Sequence, residues 1–481
     1  MMAPLFAAAL WWTACAPQPE ASVSPPVRPP SVLLVVLDTV RADTVSGYGY
    51  RHPTTPQLDA VAAAGVTFED VTAPGSWTWS SHASLFTGLT PWEHGAHISI
   101  REEGVDSAEG NWGLKALRPD VDTLAKRFAD AGYRTVSLAS NRFLDPALGL
   151  TRDFETAEVM KDDALAGRAE AIIADPSDDR PLFLFVNILI AHAPWEVFPV
   201  PWSQRHEPRL KTAEAAPPWS VPYLMESTTG IDMLLTPPGQ AMSGIKLLTT
   251  GDVVVPAGDR ELIEDLYSGG VQAADFLLSK LLKPWTAAHP TGVVAVTSDH
   301  GEYLGEHGLW DHGLTVYSQV VDVPLVIAAP GRLPSGKRVS TPVQMHDAYG
   351  TLLDLAGLAH PGRTSLVPVV AGEPRPGPIV AKAWASRSWS ESIGGRFASD
   401  WSLYREGPWA LISSSGGERQ LFNLKTDRAM ERDLSTAHPE LLAQMVSKSD
   451  ASFVEASADA REVELSPHVV EELRALGYLD H

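Results

Sequence analysis

Cysteine is nearly absent from this chain: Cys15 is the only cysteine among 481 residues. One cysteine excludes a disulfide within the chain, and it leaves no other cysteine to bind a metal or act as a nucleophile. Basic residues are also in deficit, because 37 Lys and Arg face 59 Asp and Glu, which gives a net charge of −22. So acidic a surface repels nucleic acid, and we find no basic stripe that counteracts it. An anionic substrate would need a local cation in order to bind.

The apolar stretch at the N-terminus, residues 1–14, is too short to span a bilayer but suits the core of a signal peptide. Small residues before Cys15 resemble the bacterial lipoprotein processing site, which would leave this cysteine lipidated. No Lys or Arg precedes the run and Trp12 stands where Leu is usual, so a frayed tail with a chance cysteine is the alternative. We predict a signal or lipoprotein leader over residues 1–15 and a proline-rich linker over 16–30. The protein is then exported, to the periplasm or the outer surface, and contacts a membrane only through a lipid on Cys15.

Strand and helix patterns alternate from residue 31 onward. Residues 31–37, SVLLVVL, form a continuous apolar run typical of a strand buried on both faces of a parallel sheet. Further strands are predicted at residues 134–140, 181–190 and 292–297. Helices are predicted between Thr55 and Gly65, over residues 121–131, and over residues 261–282 with an interruption at Gly269 and Gly270. The alternation predicts an α/β fold with a large, mostly parallel sheet.

The domain organisation follows from where this rhythm stops. Residues 31–362 form the predicted main domain, and residues 202–259 form an insert or lid within it, rich in Pro, Gly and Thr. Residues 363–481 form a C-terminal α+β subdomain. In that part, short segments alternate apolar and polar residues around turns, which predicts a small antiparallel sheet and a helix covering it.

Polar side chains follow several of the predicted strands. Asp38 comes directly after the first strand, His192 follows the strand over residues 181–190, and Asp299 with His300 follows the strand over residues 292–297. In open α/β sheets, functional groups gather at the carboxyl ends of the strands. Each residue alone could be a helix cap or a packed histidine, but together they predict a metal site. Carboxylate oxygens with an imidazole, joined by an oxygen of Thr78, suit Zn²⁺, Mn²⁺ or Ca²⁺.

The stretch over residues 74–97 supplies candidate nucleophiles. Its hydroxyl groups belong to Ser76, Thr78, Ser80 and Ser81, and a helix-compatible run follows and stops at Gly88. A hydroxyl at a helix start lies near unpaired backbone N–H groups, which favour anions. Without a base or metal to activate it, such a stretch is only a loop that caps a helix. The predicted metal site supplies that activation.

Several motifs resemble the sulfatase-like hydrolases of the alkaline phosphatase superfamily. They are SVLLVVLDTVRADTVSGYGY, TTPQLDAVAAAGVTFED, SSHASLFTGLTPWEHG, VVAVTSDHGEYLGEHGLWDHG, LFNL at residues 421–424 and LRALGYL at residues 473–479. The resemblance covers residues 31–481 except the insert. It implies an α/β sandwich with a metal ion at the strand ends, and a nucleophile that attacks a sulfate or phosphate ester and is transiently esterified.

The resemblance places the nucleophile at Thr78. Sulfatases carry a Cys/Ser-x-Pro-x-Arg pattern here, whose first residue becomes formylglycine, whereas this chain has Ser80 in place of Pro and His82 in place of Arg. Threonine cannot become formylglycine, so none is expected. A threonine with an Asp–His pair resembles the phosphodiesterase and phosphotransferase branches of the superfamily.

The number of metal ions is predicted from the same resemblance. The two-metal branch has an Asp four residues before a His, and Ile188 stands at that place before His192. One divalent ion is therefore expected, although His192 with His312 could hold a second.

The resemblance assigns roles to individual residues. Asp38, Thr78, Asp299 and His300 hold the metal, while Thr78 attacks the ester. His192 and His312 bind the oxyanion or protonate the leaving group, and Arg41 and His82 add positive charge to the anion site. Two other functions stay open: a sulfuric ester hydrolase of the arylsulfatase kind that uses unmodified Thr78, and a surface lipoprotein that binds metal without catalysis.

Overall fold

The computed structural model describes residues 28–100, 112–193, 195, 197–206, 254–256, 259–385, 398–453 and 463. The predicted leader with Cys15, most of the linker, most of the insert and the LRALGYL segment lie outside the described residues. Within the described part, none of the helices combines the length and the apolar composition needed to cross a membrane.

Eighteen strands run through the described residues. They are β1 Val32–Leu37, β2 Val66–Phe68, β3 Val71–Thr72, β4 Ile98–Ile100, β5 Trp112–Leu114, β6 Arg134–Ala139, β7 Thr156–Val159, β8 Leu182–Ile188, β9 Val293–Thr297, β10 Tyr303–Leu304, β11 Trp310–Asp311, β12 Leu325–Ala328, β13 Lys337–Val339, β14 Val343–Gln344, β15 Ile379–Ala383, β16 Trp401–Glu406, β17 Trp409–Ser414 and β18 Arg419–Asn423.

The α-helices of the same part are α1 Pro56–Ala64, α2 Thr78–Thr87, α3 Pro91–His94, α4 Leu124–Asp130, α5 Asp162–Ile173, α6 Pro201–Gln204, α7 Arg260–Ala288, α8 Ser318–Val321, α9 Ala348–Leu355, α10 Val367–Val370 and α11 Pro439–Ser452.

The main sheet has eight strands in the order β13-β2-β12-β9-β1-β8-β6-β7. Its central strand, β1, pairs in parallel with β8 on one side and with β9 on the other. Alternate residues of β1 pack into two separate hydrophobic cores. A Val- and Leu-rich segment suits such a strand, because both of its faces are buried. Since β6 and β7 continue in parallel and β12 runs antiparallel, the predicted α/β fold with a mostly parallel sheet is confirmed.

Helix α2 carries the predicted nucleophile in its first turn. The helix begins at Thr78, after Trp77 in an extended conformation, and all ten of its residues are buried. It ends at Gly88, whose φ of 64° lies in the left-handed region that favours glycine. The helix therefore starts earlier than the run of helix formers suggests, and it ends where the glycine predicts.

Helix α7 is continuous, so the predicted interruption at Gly269 and Gly270 is wrong. A Cβ on Gly269 would lie 3.1 Å from the Cβ of Ser203, and a Cβ on Gly270 would lie 3.2 Å from the Cα of Ala191. The two glycines thus allow the helix to pack closely against the chain that follows β8. This packing outweighs their low helix propensity.

The C-terminal part contains the predicted antiparallel sheet, with strands in the order β15-β16-β17-β18. Its four strands pair antiparallel in sequence order. Helix α11 covers one face, where Met445 packs with Tyr404 and Leu411 in a small apolar cluster. Strand β15 belongs to this sheet, although the sequence patterns gave no strand there.

Candidate active site

Four neighbouring parallel strands, β9, β1, β8 and β6, end at the same edge of the main sheet. Asp299 follows β9, Asp38 follows β1, and Asn141 follows β6. The backbone N–H of Asp38 donates to the carbonyl of Ile188, the last residue of β8, at 2.9 Å. Ligand atoms of Asp38, Asp299 and His300 all lie within 4.8 Å of one another, and the three residues are buried. The structure therefore brings the predicted metal ligands together.

The carboxylate of Asp38 is held by two amide side chains. Asn141 and Asn187 each donate a side-chain N–H to its Oδ2, at 3.0 and 2.9 Å. The amides are fixed in turn, because the backbone N–H of Asn141 donates to the Asn187 carbonyl oxygen at 3.1 Å. Only one oxygen of Asp38 is used in this way. Its Oδ1 is buried and has no hydrogen-bond partner among the described residues.

Asp299 is held by backbone groups from two strand ends. Its Oδ1 accepts from the N–H of Thr39 at 3.2 Å and from the N–H of His300 at 3.0 Å. Thr39 has a φ of 59°, a strained value for a β-branched residue, and this conformation directs its N–H to the carboxylate. The Oδ2 of Asp299 has no hydrogen-bond partner in the described part of the chain.

The imidazole of His300 is oriented as metal-binding histidines usually are. Its Nδ1 lies 2.9 Å from the carbonyl oxygen of Gly301, and since a carbonyl only accepts, Nδ1 carries the proton. Burial, and the neighbouring His312, lower the pKa of His300 well below its ordinary value. The ring is therefore neutral, and the lone pair of its Nε2 faces the Oδ2 of Asp299 at 3.3 Å.

These residues fit a divalent cation. A buried carboxylate oxygen without a partner costs free energy, because it has lost its hydration and gained no replacement. Asp38 and Asp299 each offer such an oxygen, and His300 offers a nitrogen lone pair in the same place. Two carboxylates and one imidazole are ligands that Zn²⁺ and Mn²⁺ accept. A divalent cation would satisfy all three donors at once.

The hydroxyl of Thr78 lies against this cluster. Its Oγ1 is 3.3 Å from the Nε2 of His300 and 3.3 Å from the Nδ2 of Asn141. Asn141 donates to the oxygen, so the hydroxyl proton of Thr78 points to the Nε2 lone pair of His300. That lone pair is also the one that a cation would take. Of the predicted hydroxyl candidates, Ser80 and Ser81 instead donate to the backbone carbonyls of Trp77 and Gly75.

His82 lies one turn farther along α2, behind the nucleophile. Its Nδ1 donates to the backbone carbonyl of Thr78 at 3.0 Å and lies 3.4 Å from the Oδ2 of Asp299. The ring also packs edge-on against Phe185 and Phe86. This residue is fully buried, so it contacts the predicted metal ligands from the protein interior. The prediction that it adds charge to the anion site stays a prediction.

His192 and His312 lie on the other side of the cluster. Their ring centres are 5.0 Å apart, and the ring of His312 is 4.3 Å from that of His300. The Nδ1 of His192 donates to the carbonyl oxygen of Ala193 at 2.5 Å. Of the two predicted proton donors, His312 therefore lies directly beside His300 of the metal cluster, and His192 lies beside His312.

The charge of His312 is set by two carboxylates. Its Nδ1 lies 2.6 Å from the Oδ1 of Asp311 and 3.1 Å from the Oε1 of Glu302. Burial opposes the charged imidazolium, but these carboxylates raise the pKa of His312 well above its ordinary value. In this arrangement His312 is protonated and can serve as a proton donor.

Arg41 is occupied by other carboxylates. Its guanidinium donates to both oxygens of Asp43 at 2.9 and 2.7 Å and to Glu306 at 2.7 Å. The same three residues line a cavity of about 550 Å³, whose lining residues do not include Thr78. The positive charge of Arg41 is therefore compensated locally. Its predicted role in binding the ester stays a prediction.

Three residues of the site are missing from the sequence predictions. Asn141 and Asn187 orient Asp38, and Glu302 pairs with His312. The sequence contains a signal for Asn187, because this asparagine lies inside the apolar run of β8 and a buried amide needs a hydrogen-bond partner. Asn141 also follows a strand end, as Asp38 does. For Glu302 the sequence gives no comparable signal.

A protein-family model described as "Sulfatase" matches residues 30–358. Among curated proteins, a sulfatase from Formosa agariphila is 23% identical over 388 residues, which cover 72% of this chain and 72% of the relative. The range of the family model includes both the α2 segment and the strand ends that carry the cluster.

Solved structures give the same fold. A protein in complex with its substrate D-glucosamine-2-N,6-O-disulfate is 17% identical, with a TM-score of 0.65, over 88% of this chain and 97% of that chain. A phosphonate monoester hydrolase of Agrobacterium radiobacter is 19% identical, with a TM-score of 0.64, over 91% of this chain and 100% of that chain. At such identities the likeness concerns the arrangement of the chain.

Proposed function

Because the chain belongs to the sulfatase family, we propose that it is a metal-dependent ester hydrolase whose nucleophile is the unmodified hydroxyl of Thr78. The substrate is an anionic ester of sulfuric or phosphoric acid. We place phosphate esters first, because a threonine next to an Asp–His pair resembles the phosphodiesterase and phosphotransferase branches of the superfamily. The names of the similar proteins, a disulfated glucosamine as one substrate and phosphonate monoesters as another, support this range of anions.

One observation carries the proposal. The Thr78 oxygen lies 3.3 Å from the Nε2 of His300, beside carboxylate oxygens of Asp38 and Asp299 that have no partner among the described residues. A divalent cation bound there would stabilise the ionised hydroxyl and polarise an oxygen of the ester. Such a site activates a hydroxyl that is otherwise a weak nucleophile.

The other side chains have separate tasks in the first half-reaction. Asn141 donates to the oxygen of Thr78 and holds it at the start of α2, where unpaired backbone N–H groups favour an anion. Thr78 releases its hydroxyl proton to solvent and attacks the sulfur or phosphorus atom; the new bond forms as the bond to the alcohol oxygen breaks. His312, protonated through its contact with two carboxylates, or the adjacent His192 gives the alcohol oxygen its proton.

The second half-reaction regenerates the enzyme. Water, or an acceptor alcohol, attacks the sulfur or phosphorus atom from the side of the departed alcohol. The same histidine now takes the proton, since an acid in one direction is a base in the other. Thr78 leaves as the alkoxide and regains its hydroxyl proton from solvent, and sulfate, phosphate or the transferred ester is released.

The test uses the purified chain, freed of metal and reloaded with Mn²⁺, Zn²⁺ or Ca²⁺. Nitrophenyl phosphodiester, phosphomonoester and sulfate are compared as substrates. Thr78→Ala should lower kcat by at least about a thousandfold, because it removes the attacking atom. Ser80→Ala is the matched control in the same helical turn, and it should retain activity, since its hydroxyl contacts only a backbone carbonyl.

Full activity in Thr78→Ala would overturn the mechanism. A clear preference for sulfate would favour the sulfuric ester hydrolase over the phosphoesterase. Metal binding without turnover of any of the three esters would instead favour the binding protein.

A further inference from the structure

A second group of possible metal ligands lies next to the first. Glu302, Asp311 and His312 each offer one ligand atom within 4.8 Å of the others. Glu302 is fully buried, His312 is 5% exposed, and the side chain of Asp311 is 14% exposed. None of these residues belongs to the Asp38–Asp299–His300 cluster.

The charges within this second group do not balance. Two carboxylates face one imidazole, so a negative charge remains even when His312 is protonated. The Oε2 of Glu302 is buried and has no hydrogen-bond partner in the described part of the chain. Arg41 reaches the same loop, but it donates to the backbone carbonyl of Glu302 and to the carboxylates of Asp43 and Glu306. A buried carboxylate without a counter-charge or a full set of hydrogen bonds is costly.

The geometry suits a cation. The Nδ1 of His312 lies 2.6 and 3.1 Å from oxygens of Asp311 and Glu302. Neighbouring ligands on one small divalent ion lie about 3 Å apart, since metal–ligand distances are about 2.1 Å. Asp311 also has a φ of 67°, a left-handed conformation that turns its side chain back towards His312.

We propose that Glu302, Asp311 and the Nδ1 of His312 bind a second divalent cation, distinct from the one at Asp38, Asp299 and His300. Oxygen and nitrogen ligands of this kind suit Mn²⁺ or Zn²⁺. The cation replaces the proton on Nδ1 and neutralises the second carboxylate, which leaves the adjacent His192 as the proton donor to the departing alcohol. It also fixes the loop between β9 and α8 and holds the ring of His312 against that of His300.

The test counts bound metal. Metal-free full-length protein is titrated with Mn²⁺, and bound ions are counted by calorimetry and by the electron paramagnetic resonance signal of free Mn²⁺. Wild type should bind two ions per chain. Glu302→Gln keeps the shape of the side chain but removes its charge, and it should bind one ion, with affinity for the other weakened at least tenfold. Asp38→Asn should also bind one ion, which is retained at the second site.

Asp43→Asn is the matched control, because this neighbouring carboxylate pairs with Arg41 and should leave the count at two. Circular dichroism verifies folding, and Asp311→Asn replaces Glu302→Gln if the latter does not fold. The proposal is overturned if wild type binds one ion that Glu302→Gln also binds. That result, with the ion lost in Asp38→Asn, would leave the proposed catalytic metal intact. One ion retained in Asp38→Asn but lost in Glu302→Gln would instead support the second site and contradict the catalytic one.

Discussion

Two groups of buried acidic side chains in this protein differ in what neutralises them. At the edge of the main sheet, Asp38, Asp299 and Glu302 each keep a carboxylate oxygen that has no partner among the described residues. At the junction between the main sheet and the C-terminal sheet, Asp70 receives the guanidinium groups of Arg405 and Arg428. The sheet-edge carboxylates are fully buried, and the side chains of Asp70 and Asp322 are 18% and 15% exposed, yet only the second group has guanidinium partners for its carboxylates.

The junction shows carboxylates that are paired with guanidinium groups. Arg405, on β16, is 4% exposed and binds both oxygens of Asp70 at 2.9 and 2.7 Å. Arg428 joins Asp70 to Asp322 at 2.8 and 2.6 Å. Although burial opposes the charged form, the two guanidinium groups hold the pKa of Asp70 well below its usual range. Asp322 faces only one of them, and burial raises its pKa.

This difference in pairing distinguishes carboxylates that stabilise the fold from carboxylates that we propose bind a ligand. Among the described residues, arginines pair with the carboxylates at the junction, and none donates to the unpartnered oxygens at the sheet edge. This is the arrangement we expect if the sheet-edge oxygens bind a ligand from outside the chain, whereas the junction holds two parts of the same chain together.

The largest effect is expected from Asp299→Asn at the sheet edge. Activity should fall at least about a thousandfold, or about 4 kcal/mol in the barrier, because a ligand of the metal loses its charge. The stability of the metal-free protein should not fall, since the substitution removes an uncompensated buried charge. Ester hydrolysis and thermal unfolding of the metal-free protein measure the two quantities. Marked destabilisation without loss of activity would assign Asp299 to the structural group.

The next largest effect is expected from Arg405→Leu at the junction. The free energy of unfolding should fall by about 3 kcal/mol, because Asp70 loses one of its guanidinium partners inside the protein. Activity of the folded fraction should persist. Lys448→Met is the control: it breaks the exposed ion pair with Glu406 on the same strand, and stability should stay unchanged in urea unfolding. If both variants lost equal stability, burial would not explain the strength of the Arg405 pair.

Removal of metal should have a smaller effect. With the metal at about a hundred times its dissociation constant for the sheet-edge site, loss of the ion from that site should lower stability by about 2.7 kcal/mol, since the ion binds only the folded state. Arg405→Leu should lose as much stability on chelation as wild type does. Asp299→Asn should lose less, because it lacks a ligand. Identical losses in all proteins would place the ion away from the sheet edge.

The smallest effect is expected at His346, a buried histidine at which desolvation outweighs the nearby carboxylate of Asp347. Burial lowers the pKa of His346 from 6.5 to about 4, so the folded protein keeps this ring neutral. The unfolded chain binds the proton first, so stability is lost as the pH falls below about 6.5, by at most about 1.4 kcal/mol per pH unit and by about 2 kcal/mol between pH 7 and 5. His346→Gln should flatten that slope in unfolding experiments between pH 7 and 5. Equal slopes would mean that the ring titrates normally in the folded protein.

Sequence patterns identified the candidate metal ligands because these residues follow strands that are easy to recognise. Asp38, Asp299 and His300 come after continuous apolar runs, and the ends of parallel strands must meet. The end of helix α2 was likewise predictable, because Gly88 follows its last residue. These residues depend on local patterns and on one topological rule.

Residues that depend on tertiary packing were not predictable in the same way. The role of Glu302 arises only because the loop after β9 folds back to bring His312 to it, 10 residues later in the chain. Gly269 and Gly270 suggest a break in a helix, and only the close approach of Ser203 and Ala191 explains why the helix continues. Such contacts are decided by packing between distant segments, which propensities do not describe.

The position of β1 between β8 and β9 has a consequence for biosynthesis. The strand is made near the start of translation, but both of its neighbours emerge from the ribosome much later, and β9 last of all. Asp38 therefore lacks Asp299 and His300 as neighbours until His300 has been synthesised and has left the ribosomal tunnel. A metal ion held by Asp38, Asp299 and His300 could not guide the early folding of the nascent chain, and its uptake would follow the pairing of β9 with β1.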